Sequence, residues 1–255
     1  MSGLRFTKWH GAGNDFILLD AFGQSLDATH LSELAQRLCH RPLGIGADGL
    51  LVVEPSPQAA CRMRLFNADG SEAPMCGNGI RCVARYMLEW HLSDTHALRI
   101  ETGAGIREVS RTADGRYRVA MGTPHFEPTP EGWLVNTGAL HLVQFTDALE
   151  EFPLAVQGAA LQRHPRFPNG VNFTVGHVAR ADLARARVWE RGVGETLACG
   201  TGACALVVAG VLTEQLARTA TVHMPGGLLQ VEWADNGSLW LIGDAVCVFE
   251  GVWYG

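Results

Sequence analysis

Two cysteines occupy matching contexts. Glu72-Ala73-Pro74-Met75-Cys76-Gly77-Asn78-Gly79 and Glu195-Thr196-Leu197-Ala198-Cys199-Gly200-Thr201-Gly202 share the pattern Glu-x-x-x-Cys-Gly-x-Gly. Each stands at the mouth of a stretch that reads as a helix; in the second, residues 203–212 are almost wholly apolar. The first N–H groups of a helix lack an intrahelical partner and carry the positive end of its dipole. A thiolate there is stabilised, so its pKa falls below the free value of roughly 8.5. The N–H groups of Gly200, Thr201 and Gly202 can also cradle a carboxylate-sized anion.

A matched pair of such cysteines has a specific use. Inverting a carbon that bears hydrogen requires a base on one face and an acid on the other. One thiolate and one thiol supply both and exchange roles with the direction of turnover, provided both pKa values lie near the working pH. They titrate as a coupled pair, since a second thiolate facing the first is disfavoured. Helix N–H groups on the substrate carboxylate would stabilise the charge that develops at the deprotonated carbon.

Other readings are plainer. Free cysteine often serves as a small buried hydrophobe, and that reading suits Cys39, Cys61, Cys82, Cys204 and Cys247. Cys76 with Cys82 and Cys199 with Cys204 follow helical rather than short metal-ligand spacings. Gly44-Ile45-Gly46-Ala47-Asp48-Gly49 matches the dinucleotide pattern GxGxxG, but a helix precedes it and a strand follows, the reverse of what that fingerprint requires. It reads as a structural turn. Neither a phosphate-binding GxxxxGK[ST] loop nor a GxSxG elbow is present.

The elements that must position these residues come next. Strands are predicted at 5–10, 16–20, 50–53, 61–66, 98–102, 105–110, 117–121, 139–145, 172–175, 187–190, 220–224, 228–233, 239–243 and 246–254. Asp27 or Thr29 is expected to cap a short helix with Leu31, Leu34, Ala35 and Leu38 on its apolar face. A second helix runs to about Trp90 with Ile80, Val83, Ala84, Met87 and Leu88 on one face. A third lies within 152–163, and the last begins beside Cys199. Each cysteine helix is followed by two strands joined through a Gly-rich turn, and Gly13-Asn14-Asp15-Phe16 resembles Gly170-Val171-Asn172-Phe173. A period of about 125 residues implies a duplicated domain rather than a solenoid.

At 255 residues, 47% apolar and 18% charged, the chain has the composition of a soluble globular protein. A net charge of −6 and no Lys/Arg run argue against a nucleic-acid partner. Residues 1–8 carry no signal-peptide core, and the longest apolar run falls short of the ~20 residues of a membrane span. Seven cysteines, an odd number, point to a reducing cytoplasm rather than a disulfide framework.

Together, HGAGNDF, FNADGSE with MCGNG, FPNGVN and WERGVGETLACGTGA, in this order and across essentially the whole chain, resemble the diaminopimelate epimerases, two-cysteine enzymes that work without pyridoxal phosphate. The resemblance implies an α+β fold of two pseudo-symmetric lobes. Each is a curved, barrel-like mixed sheet around a central helix, with the active site in the cleft between them. The lobes would be 1–118, with 246–255 returning as its last strand, and 119–245. It implies Cys76 and Cys199 as the acid/base pair, with His141 and Glu190 helping to set their protonation. Gly77, Asn78, Gly200 and Thr201 would hold the α-carboxylate at the reacting centre. Asn14, Asn67, Asn172, Glu190 and Arg191 would bind the distal head group, where Arg suits a carboxylate and Glu an ammonium. No cofactor and no metal are implied, and family members are often homodimers.

Two departures bear on substrate choice: Gly49 stands where many members carry Gln, and Ala139-Leu140 where they carry Asn-Pro. LL-diaminopimelate, converted to the meso form for lysine and peptidoglycan synthesis, is the expected substrate. The alternatives are a histidine- or proline-type racemase with the same chemistry, a phenazine-type isomerase without paired cysteines, and a thiol redox or metal-binding module.

Overall fold

The computed structural model describes residues 3–92 and 95–255; Met1 and Ser2, part of the 1–8 segment read above, and Ser93 and Asp94 lie outside the described residues. In chain order the elements are β1 (Leu4–Gly11), β2 (Asn14–Asp20), α1 (Leu31–Cys39), β3 (Gly49–Glu54), β4 (Cys61–Asn67), β5 (Glu72–Ala73), α2 (Gly77–Trp90), β6 (Ala97–Thr102), β7 (Gly105–Arg111) and β8 (Tyr117–Gly122). There follow β9 (His125–Thr129), β10 (Gly132–Asn136), β11 (Leu140–Phe145), α3 (Leu154–Leu161), β12 (Asn172–Arg180), β13 (Leu183–Glu190), β14 (Gly194–Thr196) and α4 (Gly200–Leu212). The chain ends with β15 (Thr219–Met224), β16 (Gly227–Trp233), β17 (Leu239–Gly243) and β18 (Val246–Trp253).

The chain divides into two compact units: residues up to Val119 together with Asp244–Gly255, and Ala120–Gly243. In the first, strands neighbour one another in the order β18, β1, β2, β3, β4, β6, β7, β8. The contacts run antiparallel, antiparallel, parallel, antiparallel, parallel, antiparallel, antiparallel. In the second the order is β9, β10, β11, β12, β13, β15, β16, β17, and the same series of orientations recurs. Short β5 pairs with β4, and β14 with β13, at equivalent places. The fold is mixed α+β. Each sheet is open rather than a closed barrel, since among the described residues no pairing joins its end strands.

The registers set up residue-by-residue equivalence. Leu50 opposes Phe66 and Phe66 opposes Glu72, while Phe173 opposes Trp189 and Trp189 opposes Glu195. The offset that separates Cys76 from Cys199 therefore also relates Gly49 to Asn172, Leu51 to Thr174, and Asn67 to Glu190. Phe16 opposes Gly49 and His141 opposes Asn172, so Phe16 matches His141 and Asn14 matches Ala139. This corrects the likeness between Gly13-Asn14-Asp15-Phe16 and Gly170-Val171-Asn172-Phe173. The first opens β2, but the second opens β12, the counterpart of β3. Both segments carry Gly and Asn because both are tight entries to a strand, and turn chemistry repeats without regard to topology.

Helices α2 and α4 are buried nearly all round, as the interior helix of each unit. A helix apolar on every side must be enclosed, and α4 has no charged residue. In α2 the burial extends beyond the expected single face to Arg81, Cys82 and Tyr86. The cap of α1 also differs from expectation. His30 is its N-cap and makes no side-chain cap bond, because Asp27 is engaged by the Thr29 amide and hydroxyl one turn too early. β9 and β10 lack the apolar alternation that reveals a strand, and Pro128 confines β9 to an exposed edge.

Candidate active site

Cys76 and Cys199 are the N-cap residues of α2 and α4. Both have extended backbones, with φ,ψ of −140°, 124° and −130°, 113°. Their carbonyls accept the first helical bonds, from Ile80 N and Ala203 N. Their side chains thus stand at the end of the helix where the N–H groups of the first turn point outward. Gly77, Asn78, Gly200 and Thr201 supply those first-turn positions. Gly79 and Gly202 keep the turn open. A Cβ on Gly79 would lie 3.0 Å from Leu51, and one on Gly202 would meet Val188, Thr174 and His141 at 3.0–3.2 Å.

In the first unit, Cys76 is half-buried and its Sγ lies 3.6 Å from Asn14 Oδ1. Asn78 Nδ2 donates to the same oxygen at 3.2 Å, and Asn14 Nδ2 donates to Asp48 Oδ2 at 2.8 Å. The fully buried Arg81 donates to Asn78 Oδ1, Gly77 O and Asp244 O. β1 passes so close that a Cβ on Gly11 would come within 3.0 Å of the Arg81 guanidinium. Behind Asn14, Asp15 takes Lys8 and Arg41 as partners. Burial raises the Asp15 carboxyl, but hydrogen bonds from Arg41 and Lys8 outweigh it and hold it below the ordinary value. Asn67 ends β4 exposed, donating to Ser71 Oγ at 2.9 Å.

In the second unit, Cys199 is only 6% exposed and its N–H donates to Met224 Sδ. Its Sγ lies 3.3 Å from Thr201 Oγ1, which lies 2.9 Å from His141 Nε2. His141 Nδ1 is 2.9 Å from Thr174 Oγ1, and Thr137 Oγ1 donates to Thr201 O. His141 is fully buried, which lowers its pKa to about 3 and keeps the imidazole neutral. Around this centre, Asn172 accepts from Arg191 N at 2.8 Å and donates to Leu140 O at 3.1 Å. Glu190 accepts from the Thr196 hydroxyl at 2.6 Å, and the exposed Arg191 side chain reaches Asn169 O at 3.3 Å.

The sequence-expected residues therefore fall into two groups: Asn14, Asn67, Cys76, Gly77 and Asn78 in one unit; His141, Asn172, Glu190, Arg191, Cys199, Gly200 and Thr201 in the other. Arg81, Asp48, Thr174, Thr137 and Met224 escaped sequence reasoning. For Arg81 and Thr174 there was a signal: a charge inside an apolar helix and a hydroxyl inside an apolar strand. Gly49 does more than lack an amide. A Cβ there would lie 2.9 Å from Phe66 O, so β3 and β4 approach at a distance only glycine allows. Burial pushes Cys39, Cys61 and Cys82 up to about 12, as suits inert core thiols. Among the described residues, no group of three or more His, Cys, Asp or Glu is arranged to hold a metal. No described helix is long and apolar enough to cross a membrane.

Comparison with known proteins gives the family. The diaminopimelate epimerase model matches residues 6–127 and again 133–248. The diaminopimelate epimerase of Moorella thermoacetica is 43% identical, covering 97% of this chain and 98% of the relative. Solved structures share the fold at lower identity. A Bacillus anthracis phenazine biosynthesis protein of the PhzF family superposes with a TM-score of 0.78 at 17% identity, covering 100% of both chains. A probable proline racemase from Agrobacterium radiobacter K84 gives 0.70 at 14% identity, covering 97% of this chain and 92% of that one. With a family model matched across both units and a relative this similar end to end, the chain belongs to the diaminopimelate epimerase family.

Proposed function

We propose that this protein interconverts LL- and meso-diaminopimelate, in lysine and peptidoglycan precursor synthesis, by a two-base mechanism that uses Cys76 and Cys199 and no cofactor. The observation that carries the chemistry is that each cysteine is the N-cap of its unit's interior helix, followed by Gly-x-Gly. One sulfur removes the α-proton as thiolate, and the other delivers a proton to the opposite face as thiol. The mechanism takes the two lobes, 1–118 with 246–255 and 119–245, to close on one α-carbon. General acid–base groups of this kind contribute about 10²–10⁴ in rate. N–H groups at Gly77-Asn78 and Gly200-Thr201 bind the α-carboxylate and stabilise its enolate-like charge.

The distal head group is assigned to Asn14, Asn67, Asn172, Glu190 and Arg191. Glu190 pairs with the ammonium and Arg191 with the carboxylate. His141 and Glu190 act on the cysteines' protonation, His141 through the Thr201 hydroxyl rather than by direct contact with Cys199. Cysteine chemistry of this kind needs free thiols, which fits a cytoplasmic location. We also take the protein to be a homodimer. Strand β18 ends its sheet and exposes Val248, Phe249 and Val252, an apolar edge of the kind that self-associates. A monomer by light scattering at assay concentration would dismiss that assembly.

The test of the reaction is α-proton exchange in heavy water against a panel of amino acids. LL-diaminopimelate should gain deuterium at one α-carbon. Exchange on histidine or proline but not on diaminopimelate would instead make the enzyme a racemase of the other type, with Gly49 and Ala139 as its markers.

A further inference from the structure

The hydrogen bonds behind Cys76 run in one direction. Arg81 Nη2 donates to Asn78 Oδ1 at 3.0 Å, Asn78 Nδ2 to Asn14 Oδ1 at 3.2 Å, and Asn14 Nδ2 to Asp48 Oδ2 at 2.8 Å. The orientation of a side-chain amide is normally open, because its oxygen and nitrogen are interchangeable in shape. Here one end is a guanidinium, which only donates, and the other a carboxylate, which when ionised only accepts. Turning Asn78 around would set donor against donor at Arg81. Turning Asn14 around would set acceptor against acceptor at Asp48. Both amides are therefore locked, and the atom 3.6 Å from Cys76 Sγ is a carbonyl oxygen. Such an oxygen accepts from a thiol and repels a thiolate.

Cys199 has a neighbour of another kind. Its neighbour is a hydroxyl, and Thr201, His141 and Thr174 form a relay in which each hydroxyl can turn its proton either way. With Thr174 donating to Nδ1 and Nε2–H donating to Thr201, the Thr201 hydroxyl points its proton at the sulfur. That arrangement needs a neutral imidazole, which burial supplies.

We propose that in the ligand-free enzyme Cys76 is the resting thiol and Cys199 the resting thiolate, with Asp48, Arg81, Thr174 and Thr201 as the positioning residues that set this order. The proposal rests on the two-thiol reading above. On the Cys76 side, Asp15 is engaged by Lys8 and Arg41, and Asp48 by Arg41. Arg81 favours a thiolate through space; it donates to Gly77 O, Asn78 Oδ1 and Asp244 O, and the Asn14 oxygen that this chain orients is in contact with the sulfur. On the Cys199 side, Glu190 opposes a thiolate, with one carboxylate oxygen engaged by Thr196. Both cysteines cap a long helix, so the dipole favours neither.

The test is site-resolved alkylation. Ligand-free enzyme receives short iodoacetamide pulses across a pH series, and peptide mass spectrometry gives the pH midpoint for each cysteine, which is independent of how exposed each one is. Cys199 should have the lower midpoint. Asn14→Ala removes the carbonyl oxygen beside Cys76, so at a pH below both midpoints Cys76 should label about tenfold faster, the change in thiolate fraction that one unit of pKa produces. Arg41→Gln, which spares the Asn14–Asp48 bond, should leave the order unchanged. Thr201→Val should raise the Cys199 midpoint, and Thr201→Ser should restore it. A Cys76 midpoint at or below that of Cys199 in the parent enzyme would overturn the proposal and make Arg81 the dominant influence. So would an Asn14→Ala variant that leaves Cys76 unmoved. Reversed labelling in an enzyme whose α-proton exchange needs both thiols would sink only this assignment; exchange that survives loss of either thiol would sink the two-base reading itself.

Discussion

The two units have one frame and two chemistries. Arg64 grips Glu72 through two bonds of 2.8 and 2.9 Å, and Arg187 grips Glu195 through two of 2.7 and 3.0 Å, four residues before each cysteine. Cys76 and Cys199, Gly79 and Gly202 then follow at equivalent places. Around this shared frame the partners diverge. Phe16 stands where the other unit has His141, Leu51 where it has Thr174, Asn78 where it has Thr201, Arg81 where it has Cys204, and Asn67 where it has Glu190. Strand pairing and helix burial fix where each sulfur sits. The side chains behind it decide what the sulfur can do.

The comparison breaks most sharply at the cysteines. Cys76→Ala and Cys199→Ala should each lower kcat by about 10²–10⁴, the range for losing a general acid or base, with KM little changed. Unequal losses would show that one thiol does most of the work. The next effect separates His141 from Phe16. The folded His141 stays neutral down to about pH 3, whereas an unfolded histidine takes up a proton near its ordinary 6.5. Between those values the unfolded state binds more protons, so stability falls as pH drops and is fully present above 6.5. The loss approaches several kcal/mol at the acid end, each unit of pKa being about 1.4 kcal/mol. Denaturant titrations at pH 7 and pH 4 should show His141→Phe reducing that slope.

A smaller contrast concerns the paired glycines. Gly202→Ala presses on Val188, Thr174 and His141 at once, while Gly79→Ala meets chiefly the tip of the Leu51 side chain. Overpacking of this kind costs about 1–3 kcal/mol. Thermal unfolding should show Gly202→Ala the worse of the two, with the larger loss of turnover. Smallest are Glu72→Gln and Glu195→Gln, each expected to cost about 1 kcal/mol or less because the pairs are partly exposed. Similar midpoint shifts in urea would support equivalent roles in the frame.

Much of this was legible in the chain. The repeat around Cys76 and Cys199, the two interior helices and most strands followed from Gly-x-Gly spacing and apolar periodicity. The equivalence of Asn14 with Ala139, rather than with Asn172, was not, because it depends on which strands lie parallel, and local sequence does not carry that. The same ladder shows that Gly49 and Ala139, the two unusual residues, are the counterparts of Asn172 and Asn14. Each pair contains one asparagine. Arg81 and Asp48 were hidden for another reason: their role lies in a hydrogen-bond direction that runs through three segments distant in sequence.

One measurement bears most directly on the two-base mechanism. The enzyme is given LL-diaminopimelate in heavy water, the reaction is stopped at early conversion, and deuterium is read separately in product and in remaining substrate. With two thiols, the proton leaves to one sulfur and the other delivers a solvent-derived deuteron, so the meso product should be labelled and the remaining LL substrate unlabelled. Unlabelled product, or label appearing equally in both pools from the start, would mean that a single base serves both faces and that the paired cysteines do not share the reaction.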